Sequence, residues 1–225
     1  MKIGILLTGL TLPELAAVRG EYDAFFRDFL DGNGFEFETY VVVKGELPES
    51  PDEADGWLVT GSKHGAYEDH EWIPRLEAFL RAVHAAKKPL VGICFGHQII
   101  AQALGGKVVK YPGGWKVGLT EYEIEGAPVS LNAWHQDQVV EPPKEAKVIG
   151  TGPDCAVAAM TIGDHILTYQ PHPEFDAEVV ETLIRLRGPG VVPKDTLASA
   201  TARLDQPSSS PAIARRIAGH FKKGA

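Results

Sequence analysis

Cys94 stands in the run Pro89-Leu90-Val91-Gly92-Ile93-Cys94-Phe95-Gly96-His97-Gln98, where an apolar stretch meets a helix start and a glycine sits two residues to either side of the sulfur. A Gly-x-Cys-x-Gly run of this kind predicts a strand-to-helix elbow, a reversal so sharp that only small neighbours fit and the side chain at its apex is held out on strained backbone. A helix N-terminus behind the sulfur brings free N–H groups and partial positive charge, which favour the thiolate that attacks carbonyl carbon. The plain alternative is a small buried hydrophobe. Glycines weaken an ordinary core strand, however, so the pattern favours a nucleophile. Cys155, in Gly152-Pro153-Asp154-Cys155-Ala156-Val157, lacks these surroundings and reads as structural.

A thiol nucleophile needs a base, and Leu167-Thr168-Tyr169-Gln170-Pro171-His172-Pro173-Glu174-Phe175 offers one. Two prolines bracket His172 and hold it on stiff, extended backbone after a strand. Glu174, two residues on, points the same way on an extended chain. A neutral imidazole can take the thiol proton and later protonate a leaving amine, while a carboxylate on its other nitrogen fixes the tautomer. His-x-Glu alone is a weak signal, since a turn histidine beside an exposed glutamate is common. With the elbow cysteine it predicts a Cys94–His172–Glu174 triad. His135, in Asn132-Ala133-Trp134-His135-Gln136-Asp137, has no flanking prolines and is the weaker candidate base. His64, His70, His84 and His97 show no metal-ligand spacing, and no metal or cofactor is expected.

These residues require elements to position them. Lys2 to Thr8 is a β-branched and leucine-rich run suited to a strand buried on both faces, Tyr22 to Leu30 has helical spacing, and Phe35 to Val43 and Gly56 to Val59 read as further strands. Trp72 to Ala86 places Ile73, Leu76, Phe79, Leu80 and Val83 on one helical face, and Pro89 to Ile93 is again strand-like. Ile99 to Leu104 continues as helix, and Lys107 to Leu167 holds many short β-like runs. Asp176 to Arg187 resembles a last helix of the main domain, closed by Gly188-Pro189-Gly190, with two more helices expected near Pro193 to Leu204 and Pro211 to Lys222. The pattern predicts an α/β fold with a mostly parallel central sheet flanked by helices, with antiparallel additions. Residues 1–187 would form the catalytic domain and 188–225 a C-terminal helical appendage. Active sites in such folds lie at strand C-termini.

The 225-residue chain is 44% hydrophobic and 23% charged, which suits one main domain with a sizeable core. Its formal net charge of -8, without a basic run beyond Lys222-Lys223, argues against a nucleic-acid partner. Met1 to Gly9 reads as a first strand rather than a signal peptide, nothing approaches a membrane span, and two cysteines give no disulfide framework. A cytoplasmic location is the expectation.

The two motifs together, Gly92-Ile93-Cys94-Phe95-Gly96-His97-Gln98 and Gln170-Pro171-His172-Pro173-Glu174, resemble class I glutamine amidotransferase domains over roughly residues 1 to 187. The likeness is greatest to stand-alone members similar to the glutaminase domain of GMP synthase, a group that also resembles plant γ-glutamyl peptidases. The resemblance implies a flavodoxin-like three-layer sandwich and hydrolysis of a γ-glutamyl amide, with Cys94 attacking the carbonyl, His172 moving protons, Glu174 orienting His172, and water resolving a thioester. It implies an oxyanion hole of backbone N–H groups from Phe95 and from the Gly61-Ser62 loop, where relatives usually carry two adjacent glycines. Gln98 matches a position that contacts bound glutamine, although a helix-surface glutamine is an equal reading. Trp134, His135 and Asp137 align with a Ser-His-x-Asp stretch that recognises the amino-acid end of the substrate, Trp134 replacing the serine. Lys63, His64, Tyr67, Trp72 and Trp115 are candidates for the rim that meets the leaving group.

Synthetic members of the family deliver ammonia to a second active site. The chain has no phosphate-binding Gly-x-x-x-x-Gly-Lys loop, and the appendage is too short for an acceptor domain, so the expectation is a stand-alone hydrolase acting on a small molecule, glutamine or a γ-glutamyl amide. The alternatives are an ammonia-supplying subunit of an unlinked synthetase, and a catalytically silent binding or regulatory module of the same fold.

Overall fold

The computed structural model describes residues 1–223. From the N-terminus its elements are β1 (Lys2–Leu6), α1 (Pro13–Arg19), α2 (Tyr22–Phe29), β2 (Glu36–Tyr40), β3 (Gly56–Val59), α3 (Trp72–Ala85), β4 (Leu90–Ile93), α4 (Phe95–Ala103), β5 (Lys107–Lys110), β6 (Lys116–Ile124), β7 (Ala127–His135), β8 (Asp137–Glu141), β9 (Ala146–Gly152), β10 (Cys155–Ile162), β11 (Ile166–Tyr169), α5 (Ala177–Leu186), α6 (Lys194–Thr201) and α7 (Ser210–Lys223). One mixed sheet has the order β2-β1-β3-β4-β11-β10-β9-β6-β7, and β5 pairs with β8 in a separate ribbon. The half from β2 to β11 is parallel. The half from β11 to β7 is antiparallel.

Alternation along the parallel strands builds two cores. Leu6, Trp57, Val59, Leu90 and Ile166 face one side, where Leu76, Phe79 and Leu80 of α3 and Ile99 and Ile100 of α4 cover them. Ile3, Ile5, Leu58, Val91, Ile93, Leu167 and Tyr169 face the other, against Phe26 of α2 and Ile213, Ile217 and Phe221 of α7. Both faces are therefore dry, which is why these strands read as continuous apolar runs rather than alternating ones. The layers are helix, sheet, helix, as the fold expectation requires.

Some elements differ from expectation. The second strand ends at Tyr40, and Val42–Lys44 turns as a short 3-10 helix that buries Val42 and leaves through Gly45 at φ 89°. The helix expected from Ile99 starts at Phe95, directly after Cys94. Helix α1 was not expected: Pro13 opens it and Gly20 closes it, but its N-cap Leu12 makes no side-chain cap and only Leu15 is buried. Among the described residues, no helix is long and apolar enough to cross a membrane.

Candidate active site

Cys94 is the residue between β4 and α4, with φ 54° and ψ -103°. A non-glycine residue there holds strain of about 1–3 kcal/mol, which the neighbouring structure must offset. The Cys94 N–H donates to Tyr169 O at 2.8 Å, and Cys94 O accepts from Gln98 N at 3.1 Å, so β11 and the first turn of α4 pin the peptide on both sides. A Cβ on Gly92 would stand 2.6 Å from Gly96 O, and one on Gly96 would stand 2.3 Å from Val59 O. Both flanking glycines are thus required by close backbone approach, as the elbow predicts.

Beyond the end of β11, His172 N–H donates to Asn132 O at 2.8 Å, bridging the turn to β7. The Asn132 side chain donates to Phe175 O at 2.9 Å, so one residue grips the turn at both ends. His172 Nδ1 donates to Glu174 Oε1 at 2.7 Å, and the Phe175 ring lies flat on the imidazole, centroids 3.9 Å apart at 8°. Gly61 marks where the pieces meet: a Cβ there would be 2.9 Å from His172 Cε1 and 3.8 Å from Cys94 Cβ. Burial opposes the charged imidazole, but charge on Cys94 and Glu174, with the hydrogen bond to Glu174, outweighs it and pushes the His172 pKa up to about 10.

The loop after β3 is braced from below. Gly61 O accepts from the hydroxyls of Thr8 at 3.2 Å and Thr60 at 3.1 Å, and Ser62 Oγ donates to Thr8 O at 2.7 Å. No peptide is cis. In a trans peptide the C=O and N–H point oppositely, so the Ser62 N–H points away from the two threonines. The Phe95 N–H opens α4 and has no acceptor within the helix.

Above Cys94 lies a cavity of about 540 Å³, lined by Gly61, Ser62, Cys94, Gln98, Trp134, His135, Asp137 and His172 among others. Of the predicted catalytic, oxyanion and substrate-binding residues, the fold brings all but Phe95 and Glu174 to this cavity: the Phe95 side chain is core, and Glu174 stands behind His172.

Residues 42–184 match the family model for glutamine amidotransferase class-I. The chain belongs to the class-I glutamine amidotransferase family. It is similar to gamma-glutamyl peptidase 2 of Arabidopsis thaliana, 32% identical over 189 residues that cover 76% of each chain. It is also similar to the glutamine-hydrolyzing GMP synthase of Aeropyrum pernix, 35% identical over 130 residues, 52% of this chain and 25% of that one. The solved glutamine amido transferase from Methylobacillus flagellatus shares the fold, with a TM-score of 0.76 at 22% identity, covering 99% of this chain and 94% of that chain.

In this amidotransferase Gln98 is buried, and its amide donates to Asp137 O at 2.9 Å and Gln170 Oε1 at 3.1 Å, so a helix-surface role is overturned. His135 is buried and pushed down to about 3 by desolvation and by the charge of His172, which keeps it neutral, its Nδ1 donating to Asp137 O at 3.2 Å. Burial raises the Asp137 carboxyl, against a hydrogen bond from Tyr67. Lys63, His64, Tyr67 and Trp115 do line the cavity. Trp72 does not: it is buried in the core, its ring 5.6 Å from Phe95. Sequence reading missed Asn132 and Phe175 as supports of His172, and Tyr22 and Arg187 as cavity lining. Phe175 follows Glu174 directly, and an aromatic beside a bracketed histidine was the one available signal.

Proposed function

We propose that this amidotransferase hydrolyses the γ-amide of glutamine or of a γ-glutamyl compound through a γ-glutamyl thioester on Cys94. The observation that carries this reading is the placement of Cys94 and His172 in one cavity, both within contact reach of Gly61, with Glu174 2.7 Å behind the imidazole. A His172 pKa pushed up to about 10 means that the ring holds its proton at neutral pH, so the resting pair is imidazolium beside sulfur rather than the neutral base expected from sequence. The sulfur adds to the amide carbon. The oxygen takes the developing charge, held by the N–H groups of Phe95 and of Ser62 on the Gly61–Ser62 peptide, each worth about 3 kcal/mol in comparable sites. The C–N bond breaks as His172 gives its proton to the leaving nitrogen. Water then loses a proton to His172, adds to the thioester, and releases the γ-carboxylate and the thiol.

Gln98, Trp134, His135 and Asp137 would bind the glutamyl end. By this reading residues 1–187 carry the chemistry, and the appendage that begins at 188 braces it over its described residues, 188–223, with Ser210 Oγ donating to Pro173 O beside the base. The free thiols of Cys94 and Cys155 fit a reducing cytoplasm. The gamma-glutamyl peptidase relatives favour free hydrolysis of a small γ-glutamyl substrate. The GMP synthase match favours a second reading, ammonia supply to an unlinked synthetase, in which basal activity is low and rises with the partner.

A screen of glutamine, γ-glutamyl dipeptides and glutathione conjugates, run on the protein and on Cys94→Ala, tests the proposal. Turnover of at least one substrate should fall on the order of a thousandfold or more in the variant. Equal turnover by the two proteins would overturn it.

A further inference from the structure

The loop between β3 and α3 holds three side chains that the proposed hydrolysis does not use. Glu68 Oε2 lies 3.2 Å from His64 Nδ1 and 2.8 Å from His70 Nε2. One ligand-capable atom from each of the three residues lies within 4.8 Å of the others. A tetrahedral ion with bonds of about 2.0–2.2 Å sets neighbouring donor atoms about 3.3–3.6 Å apart, so the His64 edge at 3.2 Å nearly fits and the His70 edge at 2.8 Å must open by about half an ångström.

The donors are also oriented from outside the cluster. His70 stacks on Trp72, centroids 5.8 Å apart at 10°, and Trp72 is anchored in the core. The His64 backbone N–H donates to Ser62 Oγ at 3.2 Å, which ties it to the braced loop beneath. All three side chains are at least partly exposed, so an ion can enter. Two imidazoles and a carboxylate suit zinc, copper or nickel over magnesium or calcium.

We propose that His64, Glu68 and His70 bind a zinc-class divalent transition-metal ion at the mouth of the cavity. Three protein ligands leave the fourth position of a tetrahedral ion to water or to a ligand. Because His64 and Glu68 line the cavity, that position opens toward it. Bound metal would also stiffen the segment that leads from Ser62, coupling the site to the Gly61–Ser62 peptide. The competing arrangement is a carboxylate that accepts two imidazole N–H bonds, which metal would have to displace.

The test uses the full chain carrying Cys94→Ala, since the native sulfur with His172 could itself capture metal. Zinc titration by calorimetry should give one ion per chain, and cobalt(II) should give the intense visible absorption of a four-coordinate site. Glu68→Gln and His70→Gln, added singly, should each weaken binding at least about tenfold. His84→Gln, which alters the other close imidazole pair, 3.0 Å from His165, should leave it unchanged. Absence of stoichiometric binding in the Cys94→Ala protein would overturn the proposal, as would binding that Glu68→Gln and His70→Gln leave intact or that His84→Gln removes. The readout is made in a protein without its sulfur, so it stands or falls separately from the hydrolase reading.

Discussion

The proton on His172 governs what the sulfur of Cys94 can do. Its pKa stands at about 10 rather than 6.5 because charge on Cys94 and Glu174 outweighs burial. For a group raised on folding, the stabilisation is complete below the unfolded value, about 6.5, and is lost as pH rises through about 10. The paired state should therefore persist through neutrality, and kcat/KM should hold until pH approaches 10, where an ordinary histidine would already have failed. Glu174→Gln removes one of the two supporting charges, so its alkaline limb should move down and its kcat/KM should fall by on the order of a hundredfold. A pH–rate profile of both proteins checks this, and coincident limbs would count against it. Thr8 acts one step further out, because its hydroxyl helps fix the carbonyl of Gly61. In Thr8→Val the Ser62 N–H loses its aim, and kcat should drop about tenfold with KM nearly unchanged.

At the scale of elements, the elbow between β4 and α4 depends on two places where no side chain fits. Gly96→Ala would drive a methyl toward Val59 O, 2.3 Å away, so β3 and α4 must separate. The expected cost is about 1–3 kcal/mol of stability together with loss of most activity, read by thermal unfolding and turnover. A variant as stable and active as the parent would show that the elbow has slack. This elbow was legible in the sequence because glycines, prolines and apolar runs report local backbone demands. The bracing of the Gly61 loop was not, since Thr8 and Thr60 are ordinary residues 52 positions apart that meet only when β1 pairs with β3. Asn132 escaped notice for the same reason: its grip on His172 and Phe175 depends on β7 reaching the end of β11. The His64, Glu68 and His70 cluster was invisible too, because spacings of four and then two residues fit no single helix or strand and the loop's path brings them together. Helix α1 went unread because a single buried leucine gives no periodicity.

At the scale of the molecule, the question is how far the C-terminal segment is separable from the catalytic half. Phe221 is fully buried, its ring 5.8 Å from Phe35, and a Cβ on Gly56 would stand 2.9 Å from it, so α7 rests directly on the floor of the sheet. The start of α7 reaches the other end of the same face: Ser209 N–H donates to Ser130 O at 2.8 Å, and Ser210 Oγ donates to Pro173 O. One helix therefore seals the core and supports the turn that carries His172, and two substitutions should separate these tasks. Phe221→Ala opens a cavity far from the site and should cost about 3–5 kcal/mol, lowering Tm by on the order of 10 °C while kcat/KM of the folded protein stays within about twofold. Ser210→Ala removes one hydrogen bond at the turn and should cost only about 1 kcal/mol of stability but lower kcat several-fold. Thermal unfolding and kinetics on the same two variants decide the matter. Should Phe221→Ala unfold no earlier than the parent, α7 would be an ornament on the sheet rather than one of its covering layers.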